Sequence, residues 1–452
     1  MERRAGPPVE RRLSGWGRYP EIVCRTVQPG TLGQLAEAAR DTSEAVLARG
    51  NGRSYGDSSL GSGSTLVTLA LDRVLAFDAA TGLLRCEAGL LLADLIDIIV
   101  PRGFFVPVTP GTKMVTVGGM IASDVHGKNH HGAGSFCDHL ESLELSLGDD
   151  RVLTCGPAEN AELFAATCGG MGLTGIILTA TFRLNRIETA QVRQVTRRAR
   201  SLDEAMALFE GARDATYSVA WIDCLAAGRH LGRSAIFTGE HARRDELPPQ
   251  QRSAPFERPA RRAKRIPADF PALALNRLSV RAFNTLYYAA QTPAERLVPL
   301  DAYFYPLDAV QEWNRIYGKR GFVQYQCVLP PEASREGLTR LLETIAARGN
   351  ASFLAVLKSM GPQSFGLLSF PRDGYTLALD FPVSDGTMAL LGELDAIVAD
   401  HGGRIYLAKD ARMPSALMAT GYGERLDAFR RVRQAWSLGD RFRSLQSDRL
   451  SL

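Results

Sequence analysis

Short apolar runs alternate with helical stretches from about residue 21 to residue 184. Residues 45–48 (Ala-Val-Leu-Ala) and 65–69 (Thr-Leu-Val-Thr-Leu) predict strands, and residues 83–87 predict a third. Residues 91–100 carry apolar positions at helical spacing, and Pro101 and Gly103 stop that helix. Residues 104–108 (Phe-Phe-Val-Pro-Val) predict a strand entering a glycine-rich turn. Residues 143–154 predict a hairpin folding at Gly148-Asp149-Asp150, residues 160–168 a helix, and residues 173–184 a long β-branched strand. The character changes near residues 187–195. The stretch that follows mixes helices such as 202–213 with strands such as 322–328 and 375–381, and helix formers fill 414–436. The pattern predicts an α+β chain of two domains.

The length of 452 residues agrees with two domains, because single cores seldom grow that large. Hydrophobic residues make up 45% and charged residues 23%, which excludes wholesale disorder and a long coiled coil. No stretch of eighteen or so uninterrupted apolar residues exists to span a bilayer. The polar start, Met1-Glu2-Arg3-Arg4-Ala5-Gly6-Pro7, lacks the apolar core of a secretion signal, so cytoplasmic synthesis is expected. The seven cysteines are scattered and never form C-x-x-C, which favours reduced core thiols over disulfides or zinc. The net charge of +4 conceals a basic stretch at 251–265, where Arg252, Arg258, Arg261, Arg262, Lys264 and Arg265 face the single acid Glu257. A solvated loop is the plain reading of that run, and a landing site for an anionic head group or lipid phosphate is the sharper one. Nucleic acid is not expected as a partner, because no aromatic or glycine pattern of a binding module accompanies the charge.

Four glycine-rich segments crowd the first 175 residues: 49–57 (Arg-Gly-Asn-Gly-Arg-Ser-Tyr-Gly-Asp), 110–112 (Pro-Gly-Thr), 116–122 (Thr-Val-Gly-Gly-Met-Ile-Ala) and 169–175 (Gly-Gly-Met-Gly-Leu-Thr-Gly). Glycine lets backbone approach a pyrophosphate closely and turns successive N–H groups toward the anion. None of the four has the Rossmann or Walker A spacing. Together they predict a dinucleotide held by several loops. The segment Asp124-Val125-His126-Gly127-Lys128-Asn129-His130-His131 holds three histidines at a spacing that matches no zinc motif, so no metal is expected.

These segments resemble the FAD-binding domain of the vanillyl-alcohol oxidase superfamily, also called the PCMH type. Within it the chain from about residue 13 to 445 resembles the decaprenylphosphoryl-β-D-ribose oxidases, through 13–18 (Leu-Ser-Gly-Trp-Gly-Arg), 313–318 (Trp-Asn-Arg-Ile-Tyr-Gly), 324–326 (Gln-Tyr-Gln), 368–371 (Leu-Ser-Phe-Pro) and 406–410 (Tyr-Leu-Ala-Lys-Asp). The resemblance implies an FAD-binding domain at 1–195 and an antiparallel-sheet substrate domain at 196–400 with a mobile basic loop at about 243–300. A C-terminal segment, 401–452, returns to the FAD domain. It further implies that FAD is lined by Ala48, Arg49, Gly50, Asn51, Gly52, Arg53, Ser54, Tyr55, Gly56, Asp57 and Ser58. Gly111, Thr116, Val117, Gly118, Gly119, Ser123, Asp124, Val125, His126, Ile177 and Tyr406 complete the cofactor set. Arg53 stands where many superfamily members attach flavin to histidine, so non-covalent FAD is expected.

The activity implied is oxidation of the 2-hydroxyl of a polyprenylphosphoryl-β-D-ribose to the 2-keto sugar. This is the first half of an epimerisation toward the arabinose donor of a cell-wall glycan, completed by an NAD(P)H-dependent reductase. The alternative is an oxidase of soluble sugar alcohols or aldonolactones. Lys409 is the expected base, with Lys358, Gln326, His126 and Tyr55 beside it. Gln324, Gln326, Trp221, Val356 and Lys358 are expected to bind substrate. Alternation places Gln324 and Gln326 on one face of a strand. Ala378 stands where some relatives carry cysteine, which removes the target of thiol-directed inhibitors. Peripheral contact with the inner membrane, on either face, completes the expectations.

Overall fold

The computed structural model describes residues 8–40, 42–259, 264–271, 275–349, 352 and 354–452. Two sheets form the first part of the chain. A four-stranded sheet has the spatial order Val9–Ser14, Glu21–Val27, Ser64–Val67, Val46–Arg49, with its last three strands parallel. Beside it stands an antiparallel sheet ordered Val74–Asp78, Leu83–Glu87, Ile176–Arg183, Leu140–Ser146, Val152–Cys155. Helices Leu92–Ile99 and Val117–Ala122 pack with these sheets through Leu95, Ile96, Ile99, Val117, Met120 and Ile121, all buried.

The second part is one eight-stranded antiparallel sheet. Its order is Ala294–Pro299, Gln191–Ala199, Ser234–His241, Tyr217–Ile222, Ala355–Met360, Gly374–Pro382, Phe322–Leu329, Arg404–Ile405. Tyr325, Cys327 and Leu329 share one face, and Gly337 of helix Pro331–Arg348 lies against Leu329. Gln324, Gln326 and Val328 share the other face.

Several expected elements are shorter or displaced. Residues 104–108 give only the two-residue strand Phe104–Phe105, paired with Asn185–Arg186, because Pro107 has no N–H to extend the ladder. The large sheet starts at Gln191, so residue 195 lies inside a strand. The region at about 243–300 is not only loop: helix Arg277–Ala290 and strand Ala294–Pro299 occupy its second half. Arg258 pairs with Asp97 and Arg265 with Glu312, while Arg261 and Arg262 lie outside the described residues. All seven cysteines are buried and free.

The C-terminal segment binds back onto the first two sheets. Phe442 bridges to Val46, Leu445 N–H donates to the Leu60 carbonyl at 2.8 Å, and the Arg441 guanidinium reaches the carbonyls of Thr42 and Gly148 at 2.6 and 3.0 Å. These contacts close the chain around a cavity between the glycine-rich loops and the large sheet.

Candidate active site

The cavity has a volume of about 700 Å³, within the range of small-molecule and cofactor sites. One wall is the loop after strand Val46–Arg49, contributing Ala48, Gly50, Asn51, Gly52, Arg53, Ser54, Tyr55 and Ser58. Gly111, Thr116, Gly118, Gly119, Ser123, Val125, His126 and Ile177 line the adjoining wall. A Cβ at Gly50 would lie 2.2 Å from Thr116 Oγ1, so only glycine lets the two loops meet. Gly52 turns the chain at φ +61°.

The opposite wall is the large sheet. Trp221, Val356, Ala378 and Gln326 lie in one register row, and Gln324 pairs with Asp380 in the row above. Antiparallel partners point to the same face, so this row aims Val356, Ala378 and Gln326 into the cavity. Lys358 and Tyr406 line it as well. Lys409 enters from the turn after strand Arg404–Ile405, with its ammonium 3.7 Å from the Tyr55 ring centroid. Burial holds the Lys409 pKa below the ordinary lysine value; Lys358 lowers it further, and Asp380 opposes both. Burial likewise depresses Lys358, to about 8. Asp380 is raised by burial and accepts from Gln324 Nε2 at 2.5 Å.

A chain of hydrogen bonds fixes which groups can donate. Thr376 Oγ1 donates to the Cys327 carbonyl at 2.8 Å, so its oxygen can only accept from Gln326, whose Nε2 lies 3.2 Å away. The same Nε2 stands 3.1 Å from His126 Nε2, which must therefore accept. Burial first, then Lys358, His130 and Lys409, keep His126 neutral, so its proton sits on Nδ1, which has no protein partner. Gln326 accordingly turns its carbonyl oxygen away from these partners. Thr376→Val is expected to release the amide to rotate, and nitrogen-15 spectra would then show His126 mixing its two tautomers; Thr376→Ser should restore the single one. A tautomer unchanged in Thr376→Val would refute this assignment.

Six of the expected residues do not line the cavity. Arg49 is buried, donating to Ser59 and to the Ser14 carbonyl. Gly56 packs against Asp410, and Asp57 is held by Arg449 at 2.9 Å. Val117 belongs to the core. Asp124 accepts from Ser369 Oγ at 2.5 Å and from Cys137 N–H at 3.1 Å. Trp221 shares the register row but lies behind Val356, with its ring 4.7 Å from Tyr287. The first five support the loops from behind. Of the other two histidines, His130 accepts from Gly361 N–H and His131 meets the Ala215 carbonyl. Among the described residues no group of His, Cys, Asp and Glu converges as a metal site.

Other lining residues were not anticipated. Trp16 and Trp313 stand 5.7 Å apart, with the Arg53 guanidinium 4.0 Å over Trp16. Asp308 accepts from Thr112 Oγ1 at 2.7 Å and from Lys113 N–H at 2.8 Å. Both tryptophans fall in segments that carried the family resemblance, whereas no local signal marked Asp308.

The lining fits a dinucleotide. Buried Arg53 Nε, Ser58 Oγ and His126 Nδ1 have no protein partner, and Gly111 has open space where a Cβ would stand. Residues 20–156 match the family model described as an FAD binding domain. The chain is 38% identical to decaprenylphosphoryl-β-D-ribose oxidase of Mycolicibacterium smegmatis over 463 aligned positions, covering 99% of this chain and 98% of that one. An uncharacterized Streptomyces coelicolor protein is 35% identical over 80% of this chain and all of its own. Mouse L-gulonolactone oxidase is 30% identical over 37% of this chain and 38% of its own length. A variant of BBE-like 1 from Physcomitrella patens shares the fold, with a TM-score of 0.67, 16% identity and coverage of 92% of this chain and 89% of that one.

Proposed function

We propose, because the chain belongs to the decaprenylphosphoryl-β-D-ribose oxidase family, that it oxidises the 2-hydroxyl of a polyprenylphosphoryl-β-D-ribose to the 2-keto sugar. The family makes it an FAD-dependent oxidoreductase acting on alcohol groups. In this reading the keto sugar passes to a separate NAD(P)H-dependent reductase, completing an epimerisation that feeds a cell-wall or envelope glycan.

The observation that carries the reading is the placement of Lys409, packed against the Tyr55 ring on the same cavity as Lys358 and the two glutamines. Bound FAD, held without a covalent link by the loops at 48–58, 111–119 and 123–126, with Ile177 and Tyr406, supplies the two-electron acceptor for the sugar C–H bond. Lys409 takes the hydroxyl proton on its neutral Nζ as the carbonyl forms. Lys358 binds the phosphate, depresses Lys409, or both. Gln326 and Gln324 accept hydrogen bonds from ribose hydroxyls, and Val356 and Ala378 shape the wall beside them.

The sign of the pH dependence follows from the neighbours. Activity needs neutral Lys409, so kcat/KM rises with pH through the lysine titration. Asp380 raises that pKa and Lys358 lowers it. Asp380→Asn should therefore move the acid limb of the profile to lower pH and Lys358→Met to higher pH, each by about one unit. Shifts in the same direction would refute Lys409 as the titrating base.

The direct test is anaerobic addition of a polyprenylphosphoryl-ribose to the purified yellow protein. Loss of the flavin's visible absorbance supports the reading, together with flavin released into the supernatant by acid. Bleaching by soluble polyols alone would instead favour the soluble-sugar oxidase. The likeness to L-gulonolactone oxidase covers only 37% of this chain, against 99% for the decaprenylphosphoryl-β-D-ribose oxidase.

A further inference from the structure

Helix Arg277–Ala290 has two apolar faces. Its inner face is satisfied: Val280 is buried, Asn284 donates to Asp223 at 2.7 Å, Tyr287 packs on Trp221, and Tyr288 donates to the Ala199 carbonyl at 3.1 Å. Its outer face is not covered. Leu278 is 79% exposed and Leu286 71%, and Ala282 between them is exposed too. Leu278, Ala282 and Leu286 follow at i, i+4, i+8, so they form one stripe along the helix. Large aliphatic side chains this exposed on one stripe mark an interaction surface.

Charge identifies what the stripe meets. No acidic residue occurs from Phe270 to Ala294, whereas Arg277 and Arg281 stand on the helix. Both arginines are exposed to solvent. A second copy of the chain docking by two-fold symmetry would set this cationic, carboxylate-free face against itself. An anionic lipid surface offers head groups to the arginines and acyl chains to the leucines. No described helix is long and apolar enough to cross a membrane, so the contact is peripheral.

The helix also lies at the substrate side of the molecule. Tyr287 touches Trp221, Trp221 pairs in register with Val356, and Val356 lines the cavity. Resting on the reading of a lipid-linked substrate, we propose that the outer face of helix Arg277–Ala290 docks on an anionic bilayer and seats the substrate side of the cavity at the membrane surface.

The test is sedimentation of the FAD-loaded, full-length protein with substrate-free vesicles of phosphatidylglycerol and phosphatidylcholine. Wild type should partition onto them, less so at high salt or on pure phosphatidylcholine. The double variant Leu278→Glu/Leu286→Glu should lose about a hundredfold in partitioning. Both side chains are solvent-exposed, so the fold and the oxidation of detergent-dispersed substrate should be retained. Equal partitioning of wild type and variant would overturn the proposal, as would a wild type that ignores the vesicles. A wild-type dimer in gel filtration that the double variant dissociates would overturn it in favour of a second copy. Substrate-free vesicles separate this outcome from the oxidation reading, which fails only if wild type leaves detergent-dispersed lipid-linked ribose unoxidised.

Discussion

Lys409→Ala should lower kcat for the lipid-linked ribose by about 10²- to 10⁴-fold, the range of a lost general base, with FAD still bound. The side chain is largely enclosed by the cavity, and its ammonium faces the Tyr55 ring at 3.7 Å from the centroid. A lysine used only as a structural cation would be paired, and a surface lysine would titrate at its ordinary value. Here burial and Lys358, against Asp380, favour the neutral amine, the form that accepts a proton. The loss should be expressed in kcat more than in KM, because the proton moves only as the carbonyl forms. Small primary amines added to the variant should restore part of the rate, and the acid limb should then follow the pKa of the amine. A variant that bleaches its flavin at the wild-type rate would end the role assigned to Lys409.

Much of the cavity was legible in the chain, for a physical reason. Loops that cradle a dinucleotide need glycine where two backbones meet, and that requirement is local: Gly50 against Thr116 is visible as a composition signal before any fold is known. The alternation Gln324-Tyr325-Gln326 likewise states its own geometry once the segment is a strand. What stayed hidden depends on partners distant in sequence. Asp380 reads as one acid in an apolar strand, and only its pairing with Gln324 brings it into the site. Asp57 and Asp124 sit in cofactor-like motifs, yet Arg449 and Ser369 claim them, so each braces a loop instead of lining it. Helix Arg277–Ala290 escaped because the basic run before it, with Pro267 and Pro271, reads as loop.

Arg449 shows how far such bracing reaches. Its guanidinium donates to both oxygens of Asp57 at 2.9 and 3.0 Å, to Asp410 Oδ2 at 2.7 Å and to the Met413 carbonyl at 2.5 Å. Asp57 ends the first glycine-rich loop, and Asp410 directly follows Lys409, so one arginine from the last helix joins the cofactor wall to the segment carrying the base. Arg449→Ala leaves two buried carboxylates facing each other without a cation, which should cost about 3–5 kcal/mol of stability. The loss should depend on pH with a definite sign. Burial already raises the pKa of Asp57, and removing Arg449 raises it further, so protonation relieves the variant. The gap in melting temperature between wild type and variant should therefore narrow as pH falls from 8 toward 5. Arg449→Ala combined with Asp57→Asn should recover part of the deficit, because one of the two opposed charges is gone. FAD affinity should fall in the single variant along with stability, since the loop at 48–58 loses its tether. A single variant that melts like wild type at pH 8 would show that the C-terminal helix does not hold the site together.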